Sequence, residues 1–228
     1  MTDIQKNIAT VKGRISKAAR DCGREPASVR LVTVTKTQTI DVVRAAIEAG
    51  TSIVGENYIQ EAREKFDTLN GLQTRWHFIG HLQSNKAKYA VRMFDLIHTV
   101  DSPKLAAELD KQSQKIGKIQ DILVQVNISR ESSKSGIEET RALELIKAIS
   151  RYPNLRIQGL MTMPPFFDAP ELARPFFKAL RVLRDRIQAK LDAPLTELSM
   201  GMTGDFEVAI EEGATLVRIG TAIFGARL

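Results

Sequence analysis

The stretch "LVTVTK" (31–36) places a lysine at the end of a run of apolar and β-branched residues. Such a run predicts a buried strand, and because side chains alternate along a strand, Val32, Val34 and Lys36 share one face. If that face lines the protein interior, burial and nearby cations lower the pKa of Lys36 and favour a neutral amine that attacks aldehydes. The alternative is a strand-end lysine whose amine extends into solvent.

Two segments near the end of the chain have the composition of anion-binding loops. They are "SMGMTGD" (199–205) and "GTAIFG" (220–225), and each follows a short apolar run. Glycines let backbone N–H groups approach an anion closely, and hydroxyls add donors, although glycines are also common in loops for reasons of turn geometry alone. The glycines and hydroxyls concerned are Gly201, Gly204, Gly220, Ser199, Thr203 and Thr221. Together with Lys36, the two loops predict a ligand that has both an aldehyde and a phosphate.

Pyridoxal 5′-phosphate is such a ligand, and its pyridine nitrogen needs a partner. Arg218 lies two residues before Gly220 and therefore on the same predicted face. Because arginine stays protonated, it would donate a hydrogen bond to an unprotonated ring nitrogen, which weakens the ring as an electron acceptor. The alternative for Arg218 is an interior ion pair with Glu197 or another acid.

The elements that must position these residues alternate between short β-branched runs and longer stretches of helical periodicity. This alternation is typical of βαβ units around a parallel sheet. Eight runs are predicted as strands: 29–35, 52–56, 75–80, 95–100, 121–129, 155–163, 195–201 and 215–220. Eight repeats in about 200 residues favour a (β/α)8 TIM barrel, in which functional residues lie at the carboxyl ends of the strands, over a doubly wound sheet.

Helix signals support this division of the chain. Ile4, Ile8, Val11 and Ile15 are spaced for an amphipathic helix over about 2–22, packed outside the barrel, with a capping box from Thr2 to Gln5. The other signals are Ser102 with Pro103, a capping box from Ser135 to Glu138, Asp168 to Glu171 around Pro170, and helix-ending Gly50 and Gly213. Nothing resembles an interdomain linker, so we expect one domain over 1–228.

Composition excludes several classes of function. The chain has 228 residues and a net charge of +6, but its basic residues alternate with acidic ones, as in "EAREKFD" (61–67), which is typical of solvated helix faces. With three tyrosines and one tryptophan there is little surface for stacking bases, so nucleic-acid binding is not expected. The sequence has neither a membrane-spanning run nor a signal peptide, and its single cysteine fits a reducing compartment, so we expect a cytoplasmic protein without a membrane partner. His77, His81 and His98 include one close pair without further ligand residues, so we assign no metal.

The sequence resembles the pyridoxal phosphate homeostasis proteins (the YggS-like family), which are similar to the barrel domain of alanine racemase. The resemblance rests on segments that span nearly the whole chain in order. They are "TVTKT" (33–37), "GENYIQE" (55–61), "WHFIGHLQSNK" (76–86), "NISRESSKSGI" (127–137), "GLMTM" (159–163), "SMGMTGDFEVAI" (199–210) and "VRIGTAIFG" (217–225). Thr35 and Thr203 stand where serine is usual, and Gln38 replaces a frequent proline.

The resemblance implies which residues bind the cofactor. It implies a Schiff base on Lys36 and a hydrogen bond from Arg218 to the ring nitrogen. It also implies a phosphate site and a pocket-lining asparagine, formed by Ser199, Met200, Gly201, Thr203, Gly220, Thr221 and Asn57. Lys134 matches a lysine that binds cofactor in a second mode in the family, although a solvated loop lysine is the other interpretation.

The function that the resemblance implies is binding, buffering and delivery of pyridoxal phosphate, with apo PLP-dependent enzymes as recipients and without appreciable turnover. Racemisation needs a second base, which in alanine racemase is a tyrosine from a domain that this sequence is not expected to contain. Tyr58 is the only tyrosine near the predicted barrel mouth. The alternatives are a PLP-dependent amino-acid racemase or lyase, and an interaction module that retains the pocket. We expect a monomer.

Overall fold

The structure, a computed structural model, describes residues 2–131, 135–191 and 194–225. Eight parallel strands form a closed barrel, in which β4 pairs with β5 to complete the ring. The barrel strands are β1 (Arg30–Val34), β2 (Ile53–Glu56), β3 (Arg75–Phe78), β4 (Leu96–Val100), β5 (Gln120–Asn127), β7 (Leu155–Met161), β8 (Glu197–Ser199) and β9 (Leu216–Ile219). Each lies within one of the eight predicted runs or begins one residue before it. The predicted TIM barrel is confirmed.

Helices surround the barrel. They are α1 (Asp3–Asp21), α2 (Ile40–Glu48), α3 (Ile59–Leu69), α4 (Ala87–Met93), α5 (Pro103–Lys115), α6 (Ala142–Ile149), α7 (Arg174–Gln188), α8 (Phe206–Glu211) and α9 (Thr221–Phe224). Short 3-10 turns cover Pro26–Ser28, Ser84–Lys86, Glu139–Arg141 and Pro170–Ala173. No helix in the described ranges is long and apolar enough to cross a membrane.

The amino-terminal helix α1 packs outside the barrel, as its apolar spacing predicted. Ile8, Val11 and Ile15 are buried, and the Thr2 hydroxyl accepts a hydrogen bond from the backbone N–H of Gln5. The helix contacts α8 and α9 and forms an ion pair from Arg14 to Glu207. It therefore covers the part of the barrel wall that follows the last two strands.

Two of the predicted helix starts are wrong. No helix begins in the predicted capping box from Ser135 to Glu138, because Ile137–Glu138 instead form a short strand, β6, that pairs with the end of β5. Backbone pairing with β5 competes there with local side-chain capping, and α6 begins only at Ala142. Near Asp168 the capping position is taken by Ala169, followed by the 3-10 turn, and α7 begins at Arg174. The Ser102 cap of α5 is confirmed, and so are the helix-ending positions of Gly50 and Gly213, both of which have a positive φ.

The barrel interior is filled by alternate residues of the strands. Six apolar side chains from six strands form an inner cluster, separate from the core between barrel and helices: Val32, Ile53, Leu96, Leu123, Met161 and Leu216. Because the side-chain period of a strand is two, the inward position of Val32 gives Val34 the same direction. Leu216 does the same for Arg218. The face predicted for Arg218 is thus the barrel interior, and Lys36 lies in the turn after β1, at the carboxyl end of the strand.

Candidate functional site

A cavity of about 260 Å³ lies at the carboxyl ends of the strands. Of the nine predicted site residues, five line it: Lys36, Thr203, Arg218, Gly220 and Thr221. These residues follow or end three different strands, β1, β8 and β9. The barrel therefore brings together an amine, a guanidinium and two hydroxyls from distant parts of the sequence.

Lys36 lies in the turn that follows β1, half-buried, two residues beyond the last residue of the strand. Thr37, the next residue, has a φ of 64°, a left-handed conformation that is rare for a β-branched residue. Such a conformation persists only where surrounding contacts hold it. The turn that presents Lys36 is thus under local constraint.

That constraint comes from a buried cluster on the adjacent elements β2 and α3. Lys65 of α3 donates to the Thr35 carbonyl at 2.7 Å and to Glu56 Oε1 at 2.8 Å. Glu56 Oε1 also accepts the Thr35 hydroxyl at 2.6 Å, and Glu61 Oε2 accepts the backbone N–H of Thr37 at 2.8 Å. Both neighbours of Lys36 in sequence are therefore held by this cluster, Thr35 by Glu56 and Lys65 and Thr37 by Glu61, which lies 3.6 Å from Lys65 Nζ. Burial raises the pKa of Glu56, and the nearby Lys65 ammonium opposes that rise.

Arg218 is buried at the base of the cavity without a carboxylate partner among the described residues. Its Nη1 donates to Ser199 Oγ at 2.7 Å, and its Nη2 donates to the Thr162 carbonyl at 3.0 Å. Glu197, the suggested interior acid, instead pairs with Arg30 at 2.5 Å, so the alternative of an Arg218–Glu197 ion pair is wrong. Burial lowers the pKa of Arg218 to about 10, and the charge of Asp205 opposes this shift. Arg218 thus stays a cation at neutral pH, and both of these partners are neutral.

The loop after β8 forms a compact turn at the cavity wall. Asp205 accepts the backbone N–H of Met202 at 2.6 Å, and its own N–H donates to the Met202 carbonyl. Gly201 has a φ of 89° at the start of this turn. The hydroxyl-bearing residues Thr203 and, after β9, Thr221 both line the cavity.

The family model "Alanine racemase, N-terminal domain" matches residues 4–228. The chain belongs to this family.

Within the alanine racemase N-terminal domain family, the chain is similar to proteins named pyridoxal phosphate homeostasis protein. That of Aquifex aeolicus (strain VF5) is 43% identical over 222 residues, covering 97% of each chain. That of Escherichia coli (strain K12) is 42% identical over 234 residues, covering 100% of this chain and 98% of the relative. The resemblance inferred from the sequence is confirmed.

Solved structures are also similar to this chain. PipY of Synechococcus elongatus PCC7942, a structure with PLP bound, has a TM-score of 0.86 and 32% identity, covering 97% of this chain and 100% of PipY. The alanine racemase of Clostridium difficile 630 has a TM-score of 0.73 at 13% identity, covering 99% of this chain and 57% of the racemase. The latter likeness is one of fold.

Four of the predicted residues do not line the cavity. Ser199 lies beneath Arg218, and Met200 and Gly201 are buried behind the loop. Asn57 follows β2, and its Oδ1 is buried without a hydrogen-bond partner. An orphaned buried acceptor is unusual, because most such atoms are paired in proteins, so Asn57 retains capacity for a donor. Lys134, the lysine suggested for a second binding mode, lies outside the described residues.

The aromatic wall of the cavity was not predicted from the sequence. Phe166 and Phe167 line it, and Phe167 stacks on Phe176 with ring centroids 5.7 Å apart. Phe166 is 84% exposed, the most exposed large apolar side chain among the described residues. The sequence does contain a signal for this wall, two consecutive phenylalanines after a pair of prolines shortly beyond β7. Tyr58, in contrast, is not a lining residue and occupies the first, capping position of α3.

No metal site accompanies the cavity in the part of the chain that the structure describes. Groups of three or more His, Cys, Asp or Glu that could hold an ion are absent there.

Replacing Gly201 with alanine is expected to destabilise the β8 loop by about 1–3 kcal/mol. The φ of 89° is strained for alanine, and a Cβ at this position would lie 2.6 Å from the Cβ of Ala209. Urea denaturation measures the loss. Gly204→Ala in the same loop is the control, since a Cβ there meets nothing within 4 Å. Equal effects of the two substitutions would contradict the argument.

Proposed function

We propose that this chain, as one barrel domain over 1–228, binds pyridoxal 5′-phosphate covalently through Lys36 and holds it for delivery, without appreciable turnover. The observation that supports this most is the pairing of Lys36 with Arg218 in one cavity. A buried cation without an acid partner is costly, and an acceptor on a ligand would stabilise it. The relatives named pyridoxal phosphate homeostasis protein, and PipY with PLP bound, agree with this ligand.

Each part of the cofactor has a counterpart among the residues of the site. The Lys36 amine would add to the aldehyde carbon and release water, leaving a Schiff base. Backbone N–H groups and hydroxyls of the two loops, including Thr203, Gly220 and Thr221, would hold the phosphate. Arg218 would donate to the ring nitrogen, and Asn57, which lies outside the cavity lining, would accept through an ordered water.

The residues also account for the absence of turnover in this proposal. When bound, the cofactor supplies an electron sink that is strongest with a protonated ring nitrogen. Arg218 keeps its proton at neutral pH and donates only a hydrogen bond, so it leaves that nitrogen unprotonated. Racemisation also requires a base on each face of the substrate, so that one removes a proton and the conjugate acid of the other returns one. Of the described tyrosines, Tyr58 is the one near the mouth, and it lies outside the cavity lining.

The proposal extends to how the protein works in the cell. The residues named for the site all come from one chain, so a monomer would suffice. The single cysteine suits the reducing cytoplasm. We propose that apo PLP-dependent enzymes receive the cofactor from the open side of the cavity, where Phe166 is exposed.

The absorption spectrum before and after borohydride reduction tests the covalent attachment. We expect the protein loaded with pyridoxal phosphate to show a yellow band that borohydride bleaches to a stable adduct on Lys36. Lys36→Ala is expected to lose both the band and the adduct, while Lys178→Ala, which alters an exposed lysine of α7, should retain them. A band that survives in Lys36→Ala would contradict the proposal.

A panel of amino acids tests the absence of turnover. We expect no racemisation or elimination near ordinary enzyme rates. Turnover of roughly 1 s⁻¹ or more would favour the racemase or lyase alternative instead.

A further inference from the structure

A chain of hydrogen bonds runs through the barrel interior beneath Arg218. It joins one side chain from each of four strands: Arg218 on β9, Ser199 on β8, His98 on β4 and His77 on β3. Ser199 Oγ lies 2.7 Å from Arg218 Nη1 and 2.8 Å from His98 Nδ1, and His98 Nε2 lies 3.0 Å from His77 Nδ1. All four residues are at most 3% exposed.

Both histidines are neutral in this environment. Burial is the main cause that lowers the pKa of His77 to about 3, and the charges of Arg30 and Arg75 add to the effect while Asp121 opposes it. Burial also lowers the pKa of His98 well below its usual value, with further contributions from His77 and Arg218. Each ring therefore has one N–H donor and one acceptor nitrogen.

The direction of the hydrogen bonds follows from the arginine. Arg218 can only donate, so Ser199 Oγ must accept from it. The serine proton then has His98 Nδ1 as its acceptor, and the N–H of His98 lies on Nε2 and points to His77 Nδ1. In the opposite direction His98 Nδ1–H would donate to Ser199, and the serine proton would have no acceptor among the described residues. A buried proton without an acceptor is costly, and His77 Nε2, which has the last proton in the first direction, is not among the buried side-chain atoms that lack a partner, so the first direction is favoured.

We propose that His98, supported by His77, is a positioning residue that acts on the bound ligand through Ser199 and Arg218. By accepting the serine proton, His98 turns the serine lone pair towards Arg218. The guanidinium is then fixed at two points, Ser199 Oγ and the Thr162 carbonyl, and its remaining N–H groups are left for the cavity. This inference rests on the proposed function, because the ligand group that Arg218 meets belongs to the cofactor.

The hydrogen-bonded side chains beneath Arg218 (Ser199, His98 and His77) are neutral and so do not cancel the charge of the guanidinium. A carboxylate in place of Ser199 would pair with Arg218 and partly cancel its charge. Ser199, oriented by His98, accepts a hydrogen bond from the guanidinium and fixes its position. Because neither side chain is charged, the positive charge of Arg218 remains available to the ligand. The histidine pair therefore positions Arg218 without competing for it.

Two substitutions of His98 with the same protein background test the role. His98→Leu removes the acceptor for the serine proton, whereas His98→Asn keeps an oxygen near the Nδ1 position. In His98→Leu we expect the Kd for pyridoxal phosphate to rise at least about tenfold, and the pH at which the Schiff-base absorption band titrates to shift. His98→Asn should recover most of the affinity and the wild-type titration. If His98→Leu folds and leaves both quantities unchanged, the proposed role is wrong.

Nitrogen-15 NMR of the histidine rings in the ligand-free wild-type protein provides a test that needs neither variant nor cofactor. We expect His98 and His77 to have their proton on Nε2 and to stay neutral at pH 5–8, with the exposed ring of His81 as the reference signal. A proton on Nδ1 of His98, or a protonated His98 ring in that range, would overturn the inference. If instead the wild type forms no Schiff base, the proposed function fails while the NMR result still decides the hydrogen-bond direction.

Discussion

Replacing Lys65 with methionine is expected to lower the free energy of unfolding by about 3–5 kcal/mol, the usual effect of removing one partner of a buried ion pair. Lys65 is 4% exposed and Glu56 is fully buried. The substitution removes the donor at 2.8 Å from Glu56 Oε1, while Glu56 Oε2 already lacks a partner. Urea denaturation at pH 7 measures the change.

The double variant Glu56→Gln with Lys65→Met separates burial of an unpaired charge from loss of packing. We expect it to recover a large part of the stability, because neither remaining side chain is then charged. Lys17→Met is the surface control, since the Lys17–Asp21 pair of α1 is exposed to solvent and should contribute little to stability. A loss in Lys65→Met no larger than in Lys17→Met would show that the buried pair adds little.

The pH dependence of Lys65→Met adds a second check. The folded-state pKa of Glu56 is already above its ordinary value, and loss of the ammonium raises it further. A carboxyl whose pKa is higher in the folded state than in the unfolded state binds more protons when folded. The free-energy cost of burying its charge therefore falls as the pH decreases towards 4.5, its pKa in the unfolded chain. The stability difference between wild type and Lys65→Met is therefore expected to narrow on acidification.

The burial of Lys65 could not be predicted from the sequence. The segment "EAREKFD" reads as a solvated helix face, and for Lys65 that interpretation is wrong. Its partners are Glu56, at the end of the preceding strand, and the Thr35 carbonyl, thirty residues earlier. Only the packing of α3 beside β1 and β2 brings them together, and charge alternation along one helix contains no information about that packing.

The barrel and the central site residues were predictable for the opposite reason. Strand alternation is a local property, so the inward direction of Arg218 follows from its position in β9, whereas Lys36 reaches the cavity because it directly follows the end of β1. In a parallel barrel all carboxyl ends meet at one face, which brings residues at the ends of distant strands into one cavity. The capping box at Ser135–Glu138 failed because a tertiary interaction, pairing with β5, replaced a local one. The role of the two histidines was not predictable either, since their partners depend on the register of four strands.

Acidification below pH 6.5 is expected to destabilise the protein by about 1.4 kcal/mol per pH unit for each of the two buried histidines. The unfolded chain takes up protons on His77 and His98 from about pH 6.5 downwards, whereas the folded rings stay neutral, His77 to about pH 3. The unfolded state thus binds more protons in this window. The stability from these residues is complete above pH 6.5 and is lost as pH falls towards their folded pKa.

Urea denaturation from pH 7 to pH 4.5 measures this loss, and variants assign it. Three cations act on His77 and His98 and lower their pKa values: Arg218 from the cavity side, and Arg30 and Arg75 from the opposite end of the barrel. In the described part of the chain, Asp121 is the one acid that acts on His77, and it opposes this effect. Glu56 and Asp205, whose pKa values are raised by burial, act in the opposite sense, so the wild-type slope alone is a net value. His98→Asn should reduce the slope by about one proton, and His81→Asn, which alters an exposed ring, is the control. Equal slopes in His98→Asn and wild type would mean that His98 is already protonated in the folded barrel, which would contradict a neutral histidine pair beneath Arg218.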